Sequence, residues 1–285
     1  MAVNSIRSVL IIAGSDSSAG AGIQADLKTC AALGVYGTTA ITALTAQNTL
    51  GVTAIHEAPP EFVAAQIDAV VEDIRPDAVK TGMLANAAII EAVAAKAKEH
   101  ALPFLVVDPV MVAKSGDRLL REDAVRAMRE LLLPLADVFT PNIPEAEDLV
   151  EHPVRSDGEV RKAARELQGL GARVVVVKGG HRGGDVAVDV MFDGRNFHEF
   201  TSPRIVTTST HGTGCTLASA IAAFLARQED VPDAVRQAKE YLTEALRRAS
   251  PIGHGHGPVN HFWMWEEQGA RSQEPGRERK VESSG

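Results

Sequence analysis

The chain has 285 residues, 45% of them hydrophobic and 23% charged, the balance of an ordinary globular protein of one large domain or two small ones. With 29 Lys and Arg against 37 Asp and Glu, the net charge is −8, which excludes a nucleic-acid-wrapping surface and disfavours docking on an anionic membrane. Aromatic residues make up only 4% and there are two cysteines, Cys30 and Cys215, so the core must be aliphatic, no disulfide framework is expected, and the thiols fit a reducing compartment.

The first apolar run, residues 8–13, is short and β-branched and stops at Gly14, as a buried strand does. It is too short for a signal segment or a membrane span, so the chain is read as cytoplasmic. Residues 21–33 read as a helix ended by Gly34, residues 35–44 as a strand, and residues 52–57 as a second, marginal strand. A helix follows from Pro60, a good first helical residue, to about 74. Then come a strand at 78–81, a helix at 85–100, and a strand at 104–107 ending in Asp108-Pro109. Residues 122–133 read as helix, 136–140 as a strand ended by Pro141, 156–170 as helix, and 173–177 as an uninterrupted apolar strand. Two alternating runs, 186–192 and 196–200, flank Asp193-Gly194-Arg195, the mark of a hairpin. Gly212 opens a long apolar helix to 227, and a last helix runs from Pro232 to about 249. Strands alternating with helices predict one α/β domain over residues 1–265 with a mostly parallel sheet and helices on both faces. Residues 266–285 are polar and charged and are expected to be a disordered tail.

In such a fold, ligands sit beyond the carboxyl ends of the strands. The most specific segment there is THGTGCT at 210–216, directly before the apolar helix. Small residues let the amides of Gly212, Thr213, Gly214 and Cys215 converge, and the helix start adds partial positive charge, which makes an anion hole. A tight loop whose glycines serve only the turn is the bland alternative. Cys215 at that helix start is expected to have a depressed pKa, as a base or nucleophile. Cys30, mid-helix, reads as packing.

Asn142-Ile143-Pro144-Glu145 suits a hydrated Mg²⁺ and equally a helix start with Asn142 as cap. Asp108, closing its strand, is the second candidate carboxylate. GAGIQA at 20–25 matches the dinucleotide fingerprint, but no acid follows at the ribose distance, so a loop around a small substrate is the better account. Gln47 can read a heterocycle edge through its amide. His254 and His256 lack a third ligand at a known spacing, which argues against a metal site.

The segments GSDSSAGAGIQAD (14–26), TAQNT (45–49), KTGML (80–84), DPVM (108–111), NIPE (142–145), KGGH (178–181) and HGTGCT (211–216) occur in an order that resembles the ribokinase-like superfamily. More closely they are similar to the bacterial hydroxymethylpyrimidine and hydroxymethylpyrimidine phosphate kinases of thiamine synthesis, over about residues 8–263. The resemblance implies a homodimeric kinase using ATP and Mg²⁺. It implies catalytic roles for Gly212, Thr213, Gly214 and Cys215, the last standing where many superfamily members carry Asp. It implies ATP and Mg²⁺ binding by Asp108, Asn142, Glu145 and Lys178, with Asp108 and Glu145 nearest the metal. It implies an acceptor site at Gln47, Gly14, Ala21, Asp26, Met83 and Val110. Rival readings are a pyridoxal kinase of the same subgroup, a nucleotide-binding regulator without turnover, and a cysteine-nucleophile enzyme. Partners other than small molecules, nucleic acid and membrane included, are not expected.

Overall fold

A computed structural model describes residues 6–111, 121–180 and 184–266. One sheet of nine strands runs in the order β3-β2-β1-β4-β5-β6-β7-β8-β9. The strands are β1 (Ser8–Asp16), β2 (Tyr36–Gln47), β3 (Val52–Glu57), β4 (Ala78–Thr81), β5 (Leu105–Val107), β6 (Val138–Phe139), β7 (Val174–Val177), β8 (Val186–Phe192) and β9 (Phe197–Pro203). β2, β1, β4, β5, β6 and β7 are parallel. The hairpin strand β3 and the late pair β8 and β9 are antiparallel and close the two ends. The mostly parallel α/β architecture read from the sequence is therefore present.

The central strands are buried on both sides, and alternate residues serve opposite faces. Val9, Ile11 and Ala13 of β1 join one core with Val106, Val138 and Val176. Helices α1 (Gly22–Ala32), α7 (Thr213–Ala226) and α8 (Val231–Arg247) cover it. Leu10 and Ile12 join the other core with Val79, Val107, Phe139 and Val177, beneath α2 (Pro60–Asp73), α3 (Ala87–Glu99), α4 (Glu122–Ala127), α5 (Ile143–Val150) and α6 (Asp157–Gly169). Every residue of α7 from Thr216 to Ala226 is buried, because a helix apolar all round must lie inside the molecule.

Three local differences from the expected elements matter, two of them at strand ends. β1 continues past Gly14 to Asp16 through a register shift between Ala13 and Ser15, and β2 continues to Gln47, so both strands carry polar residues to the sheet's carboxyl edge. The helix expected over 122–133 is α-helical only to Ala127, then a π-type turn to Leu132 and a 3₁₀ turn at Leu133–Leu135. Pro134 has no amide with which to continue the ladder. Asn142 does cap a helix, α5, whose capping box joins the Asn142 side chain to the Glu145 amide and the Glu145 side chain to the Asn142 amide. Of the expected tail, Glu266 is described, and residues 267–285 lie outside the described residues, as do residues 112–120 and His181.

Candidate active site

The chain order reverses around β1, with β2 on one side and β4 on the other. Such a reversal opens a crevice at the strand ends. A cavity of about 600 Å³ lies there. The carboxyl ends of β1 and β2 and the loops after β1 and β4 bring Gly14, Asp16, Ala21, Gln47 and Met83 to one end. The β6 to β9 side and α8 bring Asn142, Glu145, Lys178, Asp189, Ile205 and Lys239 to the other. Asp108, Val110 and the run Gly212 to Cys215 also line it.

Gly212 caps α7 in the left-handed region, with φ 75°. A Cβ there would collide with the Gly20 carbonyl, and one on Gly20 would collide with the His211 ring. The β1 loop thus lies backbone to backbone on the start of α7, a contact only glycine permits. The segment after α8 holds the same loop: the His211 amide donates to the Gly257 carbonyl at 2.9 Å. His261 Nε2 lies 3.1 Å from Thr216 Oγ1. Burial pushes the His261 imidazole down to about 4, so the ring is neutral near pH 7.

Near α5, Lys178 Nζ lies 2.6 Å from Asp108 Oδ1 and 3.8 Å from Glu145 Oε2. Burial opposes the lysine's charge, but these two carboxylates outweigh it and hold the ammonium above its ordinary value. Burial pushes the Glu145 carboxyl up to about 7, against the attraction of Lys178, with Asp108 adding repulsion. Two buried carboxylates share one ammonium, so the cluster carries a surplus of negative charge when both are ionised. That donor set fits a hard divalent cation completed by phosphate oxygens and water.

Beneath the cavity, Lys80 of β4 and Asp26 of α1 form an ion pair at 2.8 Å with both side chains fully buried. Ser219 of α7 donates to the other Asp26 oxygen at 2.6 Å. Asp26 therefore does not line the cavity, contrary to the acceptor-site expectation, because its carboxylate turns inward to Lys80, whose side chain does reach the lining. Gly14, Ala21, Gln47, Met83, Val110, Asp108, Asn142, Glu145, Lys178 and Gly212 to Cys215 all do line it.

The expected depression of the Cys215 thiol is also overturned. Burial pushes it up to about 11, and the nearby Lys80 ammonium only partly offsets this, while Asp26 and Asp108 add to the rise. The helix-start argument omitted the desolvation that comes with a seat under the β1 loop.

Four cavity residues were given no role from the sequence. Asp189 accepts from the Gly179 amide at 2.9 Å and pairs with Lys239 at 2.8 Å. His211 Nε2 lies 2.8 Å from Asp16 Oδ2. Asp16 stood inside a quoted segment without a role, and only its five-donor environment marks it out. Burial works against ionised Asp16, but hydrogen bonds from His211, Ser18 and Ala21 outweigh it and hold the carboxyl at about 2. The unfolded chain titrates this group near 3.8, so its contribution to stability is complete above that pH and is lost as pH falls toward 2. Acid denaturation followed by urea titration is expected to show about 2 kcal/mol of loss across this window, absent in Asp16→Asn.

Among the described residues no helix is long and apolar enough to cross a membrane. His254 and His256 belong to no metal-competent cluster of described residues.

The phosphomethylpyrimidine kinase family model matches residues 16–260. The chain is 50% identical over 259 residues to the hydroxymethylpyrimidine/phosphomethylpyrimidine kinase of Bacillus subtilis, covering 90% of this chain and 96% of that one. It is 56% identical over 255 residues to the thiamine biosynthesis bifunctional protein ThiED of Geobacter sulfurreducens, covering 90% of this chain but only 52%, about half, of that longer protein. Among solved structures, an ADP complex of Bacillus subtilis pyridoxal kinase is similar with a TM-score of 0.85 and 38% identity, covering 92% of this chain and 100% of that one.

Proposed function

The chain belongs to the phosphomethylpyrimidine kinase family, and from that premise we propose that it transfers the γ-phosphoryl group of ATP to 4-amino-5-hydroxymethyl-2-methylpyrimidine and then to its monophosphate, in thiamine biosynthesis. The observation that carries this reading is the meeting, in one cavity, of the α7 start with the Asp108, Glu145 and Lys178 cluster.

The β1–β2–β4 end takes the acceptor, with Gln47, Gly14, Ala21, Met83 and Val110 around the heterocycle. The β6–β9 end takes the nucleotide, beside Asn142, Lys178, Asp189 and Lys239. Amides at Gly212, Thr213, Gly214 and Cys215 face the transferring phosphoryl group and stabilise charge where it develops. The acceptor oxygen attacks the γ-phosphorus in line, the bond to the ADP oxygen breaks, and the Cys215 thiolate takes the hydroxyl proton. That thiolate is disfavoured by burial, and the Lys80 ammonium is the group that favours it. Lys178 places a second positive charge beside the phosphates. Asp108 and Glu145 are the residues that would hold Mg²⁺, which when bound neutralises phosphate charge.

The protein works in this reading as one domain over residues 1–265 and as a cytoplasmic homodimer. Exposed Leu44, Leu50 and Phe62 offer apolar surface for a subunit contact. Both described cysteines are free, as a reducing compartment keeps them.

An ADP-release assay with MgATP and three acceptors, the hydroxymethylpyrimidine, pyridoxal and ribose, tests the reading. Turnover with the pyrimidine well above the other two is the expected result. Turnover confined to pyridoxal would replace the substrate while leaving the phosphoryl-transfer machinery in place, and the pyridoxal kinase likeness is the observation that makes this the second reading. Silence with all three would overturn the kinase reading.

A further inference from the structure

The GHGHG run at 253–257, beyond α8, lies on the turn that follows β2. The Gly255 amide donates to Thr49 Oγ1 at 3.2 Å, and the His256 amide donates to the Thr49 carbonyl at 2.8 Å. A Cβ on Gly255 would collide with that carbonyl, so the alternating glycines serve a backbone contact. Thr49 stands just past Gln47, at the acceptor end.

The same segment then reaches the start of α7. The Gly257 carbonyl accepts from the amide of His211, directly before Gly212, at 2.9 Å. His261 Nε2 meets Oγ1 of Thr216, directly after Cys215, at 3.1 Å. The amide run Gly212 to Cys215 is thus held on both sides by one segment. Helix α8 anchors that segment in turn. The Tyr241 hydroxyl donates to the His261 carbonyl at 2.7 Å, and the Asn260 amide donates to the Ala245 carbonyl at 3.0 Å. Thr216, Tyr241 and His261 are all buried. The His261 ring is neutral near pH 7, so Nε2 offers one hydrogen or one lone pair, and a hydroxyl complements either.

We propose that residues 253–261 are a positioning strap, and that His261, acting through Thr216, seats the α7 amides against the acceptor-side turn for phosphoryl transfer. This rests on the kinase reading above. The Thr216 amide donates to the Gly212 carbonyl at 2.8 Å, so the first turn of α7 follows the hydroxyl that His261 holds. Positioning at the reacting centre is steep in distance, and a misplacement of about 1 Å can cost about 10²-fold in rate. Neither Thr216 nor His261 lines the cavity, so the loss is expected in kcat and not in nucleotide binding.

The experiment measures phosphorylation of the hydroxymethylpyrimidine by wild type, His261→Leu, His261→Gln, Thr216→Val and the His261→Leu/Thr216→Val double variant, with urea unfolding alongside. kcat is expected to fall about 10-fold or more in His261→Leu and in Thr216→Val, with KM for ATP within about 2-fold. His261→Gln, whose amide can bond the hydroxyl, is expected to regain most of the rate. The double variant makes both partners apolar, which is expected to restore most of the urea midpoint while kcat stays as low as in the single variants. Recovery of kcat together with stability in the double variant, or near wild-type kcat in His261→Leu, overturns the proposal. Amide hydrogen exchange reads the strap without turnover. Relative to the β1 amides, those of His211 and Thr216 are expected to exchange about 10-fold or more faster in His261→Leu, and an unchanged ratio refutes the strap. Wild type inert toward every acceptor, with that exchange difference present, would instead sink the kinase reading and leave the strap standing.

Discussion

Cys215→Ala is expected to lower kcat by about 10²- to 10⁴-fold with KM for ATP little changed, the range for losing a positioned acid–base group. Cys215 is the third residue of α7 and lines the cavity. Burial holds it up to about 11 and Lys80 is the ammonium that counters this. The variant keeps the backbone amides of Gly212 to Cys215, so what remains measures charge stabilisation without the base. Cys215→Ala at near wild-type kcat, by steady-state ADP release, would remove the base role and leave the amides as the main contribution. The wild-type rate should also climb with pH above neutrality, because a thiol raised by burial gains its thiolate fraction only as the medium becomes more alkaline.

The largest stability effect is expected at Asp26. Its carboxylate and the Lys80 ammonium are fully buried and 2.8 Å apart, with Ser219 completing the carboxylate's bonds. Burial opposes the charge on Lys80, but Asp26 is the first of the anions that outweigh it and hold the ammonium above its ordinary value. Asp26→Ala removes that partner and leaves a cation in the core, at a cost of about 3–5 kcal/mol in urea unfolding. Asp26→Leu combined with Lys80→Met is expected to recover most of that stability, since an apolar pair of similar volume carries no desolvation penalty. The double variant should stay impaired in turnover, because the Lys80 side chain lines the cavity beside Cys215. Recovery of turnover together with stability would show that Lys80 acts only in packing.

The chain's periodicity carried much of the architecture. Continuous apolar runs such as 174–177 have no hydrophilic face and can only be central strands, and the bounds of β3, β4 and β8 matched their sequence patterns residue for residue. The all-apolar α7 after HGTGC was legible for the same reason. Gly212 to Cys215, Asp108, Glu145 and Lys178 could be picked out because polar and Gly-rich residues at strand ends are local signals. Asn142 was legible as a cap, since a capping box is also local, and it lines the cavity.

What the sequence could not contain was the environment of each charge. Asp26 looks like any other acid of a quoted motif, and only the approach of β4 and α7, 54 and 193 residues away, turns it inward to Lys80 and Ser219. Cys215 stands at a helix start, which by itself lowers a thiol's pKa, but the burial of its seat raises it, and Lys80 and the Gly22 amide only partly offset that. His211 and Asp16 are 195 residues apart, and their contact exists because Gly20 and Gly212 let two backbones touch. Elements follow from patterns within about a dozen residues. Protonation and pairing follow from burial and from partners distant in sequence, and these the tertiary structure alone decides.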